Sequence, residues 1–467
     1  MIRATRTDRG DHPWNVMPAP SSPFTAIPEL AVFAVGGDGI RIPPDVTVPL
    51  TPRVRRLLDT PPLRRLARIS QLGLVSLVYP GAVHSRLEHS LGVFRLAGEF
   101  LLRLGHDPRF AAAVSVADAE AFLVAALVHD LGHWAYCHPL EDMGLPELPR
   151  HESLLPAILR EPGPGAALDD DWNLSPDRVA ALVLGTAPDP AGRILHSLLS
   201  GPIDVDKMDY LARDSLHAGV PYGRHFDESR LLASLCLDEA GSGLAITEKG
   251  RTAAELLVFA RYVMFSEVYW HHAVRAATAM LQRAVWLSRP NLDVPRLIRS
   301  DDRSFVDILS EAAAGTPAAT ILDGLFGPCR SLFKRAATFD AVRQPAIHAA
   351  IAGRGYAEMV TISERLATRL ARRLGSTIDP AVLLVDAAPA TREIEFRLAV
   401  RERVGTGPAR GSAWRRLEDV SPVVRSLAHE QFDDLVKKVR IFAPADLAEA
   451  IGGCVDLEQL VLESAGG

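Results

Sequence analysis

His129 and Asp130 stand side by side at the end of an apolar run, AALVHDLG, and their chemistry demands an explanation. An imidazole and a carboxylate on consecutive positions are costly to bury unless something binds them. A metal ion satisfies both. Two other stretches offer the same residue types beside helical sequence, HSRLEHSLGV from 84 and PIDVDKMDYLARD from 202. Adjacent helix residues diverge by about 100°, so His129 and Asp130 meet one ion only if it sits between their directions at a helix end. Other helices must complete the shell, and His89 with a carboxylate from DVDKMD are the natural candidates. Such donors suit divalent Mn, Fe, Zn, Co or Ni, and Mg if several waters remain; no thiolate is at hand to select zinc. An ion so held polarises a phosphoryl oxygen and lowers the pKa of a bound water, which is the chemistry of phosphate-ester hydrolysis.

Seven of the fifteen histidines fall between residues 84 and 151, a density that favours a site over scatter. His133 follows His129 by four residues and shares its face if the helix continues. His138 and the pair His151-Glu152 come next, candidates for general acid, base or transition-state cation. Further on, Lys207, Tyr210 and Asp214 share one helix face while Arg213 turns away. A lysine and a tyrosine on the metal side suit phosphate oxygens, and Asp214 suits a sugar hydroxyl. Arg261, Tyr269, His271 and His272 put a cation and aromatics on a long helical stretch, where core packing is the simpler reading of them alone.

The elements that must position these groups follow from the rest of the chain. With 467 residues and 48% hydrophobic content, it is long enough for a large core and two or three domains. A net charge of −6 argues against whole-molecule attraction to nucleic acid. One local basic stretch exists, with Arg53, Arg55, Arg56, Arg64, Arg65 and Arg68. It reads as the solvated face of two short helices whose apolar face is Leu57, Leu58, Leu63, Leu66 and Ile69. No apolar run reaches the length of a membrane span, and the N-terminal residues lack a secretory apolar region. The four cysteines are scattered without a C-x-x-C pair, which suits a cytoplasmic protein.

Residues 1–38 read as an irregular Pro/Gly-rich arm, and 39–50 as a short hairpin confined by its prolines to an edge. Helical spacing runs through 90–105 and stops at Gly105. The stretch 117–133 reads as a central buried helix starting at an Asp cap. Residues 161–177 read as a loop followed by a helix capped by Ser175 with Pro176 in its first turn. One long helical pattern covers 251–287 and another 304–315, whereas 382–388, 392–401 and 437–443 look like strands. The expected fold is mainly α: a helical core over 39–290 and a smaller α+β lobe over 291–467.

These motifs, in the order H…HD…D, resemble the HD-domain phosphohydrolase superfamily. DTPPLRRLARISQLGLVSLVYPGAVHSRLEHSLGV, HDLGHWAYCHPLE and IDVDKMDYLARDSLHAGV further resemble its deoxynucleoside-triphosphate triphosphohydrolase branch. The likeness is dense from about residue 39 to 290 and weaker in the tail. It implies an HD-domain helical core with a divalent metal ion held by His89, His129, Asp130 and Asp206. It implies catalytic roles near the α-phosphate for His133, His138 and His151, with Glu152 as a supporting carboxylate. Arg86, Lys207, Tyr210 and Arg261 would contact the triphosphate. Gln71 and Asp214 would hold the sugar 3′-hydroxyl, Leu72 would crowd the 2′ position, and Tyr269 and His271 would lie along the nucleotide. The implied reaction is attack of water at the α-phosphorus, releasing deoxynucleoside and tripolyphosphate. The branch is commonly homo-oligomeric and often activated by a nucleotide at a second site. The HD signature alone also occurs in hydrolases of other phosphate esters, such as nucleoside monophosphates and alarmones. A reading from another class, a nucleotide-sensing or nucleic-acid-binding regulator, rests on the basic stretch 53–68.

Overall fold

Apolar residues at three- and four-residue spacing dominate the chain, and the computed structural model is accordingly mainly α; it describes residues 22–35, 37–387, 397–404, 411–428 and 436–466. The helix Arg86–Leu104 starts at Ser85, whose hydroxyl accepts from Glu88 N, and ends at Gly105 as expected. It packs against Val116–Val128, in which every residue from Ala121 to Val128 is buried. This second helix differs from expectation at both ends. Its cap is Ser115, and Asp118 is the reciprocal partner in a capping box. Its last residue is Val128, so His129 and Asp130 occupy the turn beyond it rather than a continuing helix. His133 therefore reaches the site through that turn, with its N–H on Asp130 O, and not by helical spacing.

Other readings need correction. Residues 23–35 are no irregular arm: a short turn, Pro23–Ala26, and a helix, Pro28–Val35, bury Phe24, Ile27 and Leu30. Residues 1–21 lie outside the described ones. The expected loop from 161 contains a helix, Pro162–Trp172. Its proline stands at the first helical position, where no backbone N–H is needed. The helix that follows, Pro176–Leu184, is capped by Ser175 as expected. The pattern 251–287 divides into Arg251–Met264, a π-turn Phe265–Tyr269 and His272–Ser288.

The hairpin forms as β1 (Gly39–Ile42) and β2 (Val46–Pro49). A second sheet has the order β3-β4-β7-β8, from β3 (Leu235–Leu237), β4 (Leu244–Thr247), β7 (Ala399–Val404) and β8 (Gly411–Arg416). A third has the order β5-β9-β6, from β5 (Lys334–Phe339), β9 (Val439–Ala443) and β6 (Leu384–Ala387). Two of the three strands expected in the tail are thus β6 and β9. The third begins at Ala399, and residues 388–396 lie outside the described ones. β4 pairs in parallel with β7, so the second sheet joins both sides of residue 290. Among the described residues no helix is long and apolar enough to cross a membrane.

The basic stretch is largely consumed internally. Arg53 pairs with Glu29 and Glu120, Arg56 with Asp170 and Asp171, and Arg68 with Asp301. Arg65 is not on a solvated face: it donates to the carbonyls of Ser300, Leu131 and His133, and so fixes the turn that carries His129 and Asp130. Arg55 and Arg64 remain exposed.

Candidate active site

Three segments bring four donor atoms together. His89 comes from the helix Arg86–Leu104, His129 and Asp130 from the turn after Val128, and Asp206 from the first turn of the helix Val205–His217. His129 Nε2 lies 3.3 Å from both His89 Nε2 and Asp130 Oδ1. Asp206 Oδ1 lies 3.0 Å from His89 Nε2 and 3.8 Å from His129 Nε2. Each imidazole is aimed by its other nitrogen: His129 Nδ1 meets Ala126 O at 2.9 Å, and His89 Nδ1 meets Asp209 Oδ2 at 2.9 Å.

The electrostatics ask for a cation. Burial alone would lower His89, yet Asp206 and Asp209 raise it to about 10. Burial would raise Asp130, but His133, His129, Arg86 and His89 hold it well below the usual carboxylate range. Two imidazoles and two carboxylates that hold a proton this tightly fit a divalent ion, which would replace that proton.

A second group of side chains adjoins this one. His133 Nδ1 lies 3.1 Å from Asp130 Oδ1, and His133 Nε2 lies 3.2 Å from His138 Nε2. The His151 ring lies against His133, with centroids 3.7 Å apart. Burial and the charge of Arg86 keep His133 well below its ordinary value, and the same two causes lower His138. Glu141, which the sequence did not single out, is the nearer carboxylate: it lies 3.0 Å from His151 Nδ1 and also accepts from His151 N. Glu152 Oε2 is 3.5 Å from His151 Nδ1 with its side chain 47% exposed, so Glu141 is the nearer and more buried of the two carboxylates beside His151. Arg86 Nη1 donates to Asp130 Oδ2 at 2.8 Å.

Next to both groups is a cavity of about 190 Å³ whose walls include Gln71, Leu72, Arg86, His138 and Tyr269. Gln71 Oε1 and Arg86 Nε are buried there without a hydrogen-bond partner. Tyr269 donates its hydroxyl to Asp214 Oδ2 at 2.7 Å, and the other oxygen of Asp214 meets His84 Nε2 at 2.9 Å. Tyr210 stands edge-on to Tyr269, and the charge of Arg261 acts on Lys207, Tyr210 and Tyr269. Lys207 is turned to its own helix cap, with Nζ 2.6 Å from Asp204 Oδ2. His271 is not among the cavity walls: it caps the helix His272–Ser288 and stands edge-on to Tyr79.

Sequence reasoning missed the layer behind His89. Arg213 forks onto both oxygens of Asp209 and also reaches Glu88. The signal was Gly92, because only a missing Cβ lets Asp209 and Arg213 approach that helix so closely.

The HD domain family model matches residues 86–161, and the HD associated region model matches 226–465, more than half of the chain. The chain belongs to the HD-domain phosphohydrolase superfamily. The HD-domain chain is 35% identical over 257 residues to an uncharacterized protein of Methanocaldococcus jannaschii, covering 54% of this chain and 51% of that protein. It is 28% identical over 285 residues to deoxynucleoside triphosphate triphosphohydrolase SAMHD1 of Xenopus laevis, covering 53% of this chain and 45% of that protein. The chain spans about half the length of the curated relatives it matches. A crystal structure of a hypothetical protein from Aquifex aeolicus shares the fold, with a TM-score of 0.65 at 24% identity over 89% of this chain and 99% of that one.

Proposed function

We propose that this HD-domain protein is a metal-dependent hydrolase of deoxynucleoside triphosphates, releasing deoxynucleoside and tripolyphosphate. The observation that carries the proposal is the cavity walled by Gln71, Leu72, Arg86, His138 and Tyr269, whose Arg86 also bonds Asp130 of the donor set His89, His129, Asp130 and Asp206. The relatives named deoxynucleoside triphosphate triphosphohydrolases support the substrate class. When bound, the divalent ion would polarise a phosphoryl oxygen and supply a nucleophilic water.

The chain's own residues do the rest. Arg86, Tyr210 and Arg261 would offer charge and a hydroxyl to the triphosphate, and Lys207 would turn from Asp204 to join them. Gln71 Oε1, buried without a partner, awaits a donor such as the sugar 3′-hydroxyl, and Asp214, which accepts from the Tyr269 hydroxyl, would serve the same group. Leu72 fills the space a 2′-hydroxyl would need. His133 and His138 are held neutral, so this pair, whose Nε2 atoms meet at 3.2 Å, can take a proton or pass one on. Glu141 orients His151 and stabilises it when it gains a proton. Assembly into homo-oligomers, a cytoplasmic location and activation by a nucleotide at a second site belong to the same proposal.

The test is to incubate purified protein with Mn, Mg, Fe, Co or Ni in turn and with each dNTP and rNTP, singly and mixed. Deoxynucleoside plus tripolyphosphate, lost in Asp130→Ala, is the expected result. Phosphate or monophosphate products would overturn the substrate class, and no turnover with any nucleotide would overturn the proposal.

A further inference from the structure

Cys137 adds sulfur to the histidine group beside the HD centre. Donor atoms of His133, Cys137, His138 and His151 all lie within 4.8 Å of one another. His133 Nε2 and His138 Nε2 face each other at 3.2 Å. A tetrahedral ion with metal–nitrogen bonds of about 2.0–2.1 Å holds two nitrogens about 3.4 Å apart, so these two rings already stand close to the spacing of ligands. His133 Nδ1 meets a carboxylate, 3.1 Å from Asp130 Oδ1, whereas His138 Nδ1 stands 3.9 Å from Glu141 Oε2, beyond hydrogen-bond reach. His151 Nδ1 meets the same Glu141 at 3.0 Å. A carboxylate behind an imidazole, as behind His133 and His151, is the arrangement that fixes tautomer and raises basicity in metal sites.

The backbone is committed to this cluster too. Tyr136 takes a left-handed conformation, φ 54°, immediately before Cys137. In a non-glycine residue that conformation is strained and persists only where the surroundings enforce it. The kink begins the helix Cys137–Glu141, which presents Cys137 and His138 to His133. Cys137 is buried and forms no disulfide.

We propose that His133, Cys137, His138 and His151 form a second cation site, selective for a soft or borderline ion of the zinc type, whose occupation inhibits the enzyme. The HD centre offers nitrogen and oxygen only; the second cluster adds a thiolate, which selects zinc over manganese or magnesium. Burial holds the Cys137 thiol up at about 12, so it is protonated until the ion arrives. On binding, one proton passes from sulfur to solvent buffer, the thiolate bonds to the ion, and the neutral imidazoles give their lone pairs. Imidazoles so engaged no longer accept or donate protons. The inhibitory half rests on the proposed phosphohydrolase activity; the binding half does not.

Cobalt(II) separates the two. Titrated into the full chain without competing thiols, it should bind at two ions per chain, and the second should bring a sulfur-to-cobalt charge-transfer band in the near ultraviolet. Cys137→Ser should abolish the band and keep the first ion. His129→Ala should lose the first ion and keep the band, and His138→Ala should weaken the band in a chain of unchanged circular dichroism. One ion per chain without the band would overturn the proposal and leave the His133–His138 contact as an N–H···N hydrogen bond; two ions without the band would overturn the thiolate. For inhibition, zinc should suppress manganese-supported turnover in the wild type. The zinc concentration for half-inhibition should rise at least roughly tenfold in Cys137→Ser, each variant being referred to its own zinc-free rate; equal values would refute the inhibitory role. If no nucleotide is turned over, the cobalt readout still decides the site.

Discussion

Gly92→Ala should loosen the metal centre from behind, without touching a ligand. A Cβ at residue 92 would stand 1.9 Å from Asp209 Oδ1 and 2.3 Å from Arg213 Nη2. Both groups are buried and hydrogen-bonded to each other, so neither yields freely. Helix propensity alone would favour alanine by about 1 kcal/mol. Overpacking against a fixed buried pair costs about 1–3 kcal/mol, and prising the pair apart costs about 3–5 kcal/mol. The clash therefore wins where the pair is prised apart, and the net loss of stability should be about 2–4 kcal/mol by urea denaturation. Asp209 is also what aims His89, so metal affinity should fall about 10–100-fold, the usual effect of losing a partner behind a ligand. Competition against a metal-buffering chelator measures it. Gly98→Ala is the control on the same helix: its Cβ would meet the side chain of Phe33 at 2.6 Å, far from the site, so stability alone should drop. If Gly92→Ala binds metal as tightly as wild type, the role given to Asp209 is wrong.

Other perturbations bear on separate parts of the structure. Glu141→Gln should lower kcat by roughly 10–100-fold with little change in KM, whereas Glu152→Gln should leave both close to wild type; the reverse order in steady-state kinetics would return the supporting role to Glu152. Asp386→Ala strands the Arg275 guanidinium, to which Asp386 is bonded through both oxygens. It should cost about 3–5 kcal/mol by urea denaturation, while the pair Arg275→Met with Asp386→Leu should recover most of that. The Asp301 carboxyl caps the helix Asp302–Ala313 and pairs with Arg68. Burial opposes its charge, yet Ser304 and Arg68 hold it down to about 2 from an ordinary 3.8. A folded pKa below the unfolded one means stabilisation that is full above about pH 4 and is lost as pH falls through about 2. Asp301→Ala should therefore cost about 1 kcal/mol at pH 7, and its deficit should shrink over that acid window; a deficit independent of pH would rule out the charge.

What the sequence disclosed, and what it hid, follows the range of the interactions involved. The hairpin at 39–50, the stop at Gly105 and the Ser175 cap are local, and local signals reported them. Pro162–Trp172 was hidden because proline and glycine punctuate loops, yet in a first turn they need no missing hydrogen bond. The π-turn at Phe265–Tyr269 left no trace, since one extra residue in a turn scarcely disturbs hydrophobic periodicity. His89, His129 and Asp130 could be read from the residues with an unspecified carboxylate of DVDKMD, and the family resemblance pointed to Asp206. Asp209, Arg213 and Glu141 could not be read, because their significance lies in pairings across the fold: Arg213 with Glu88, Asp209 with His89, Glu141 with His151. Cys137 was discounted for want of a second cysteine, although three histidines surround it.

The parallel pairing of β4 with β7 has a consequence for the order of synthesis. Ala245 lies opposite Ala399, so β3 and β4 leave the ribosome long before the strand that completes their sheet. Until then β4 is an open edge, able to pair with any extended segment nearby, including the same edge of another nascent chain. The helices around the HD motif rest on contacts closer in sequence and can collapse early, but the sheet must wait. Slow translation between these two strands would prolong that exposed interval, so yield in a cell should respond to expression rate and to chaperones more steeply than the stability of the finished protein suggests.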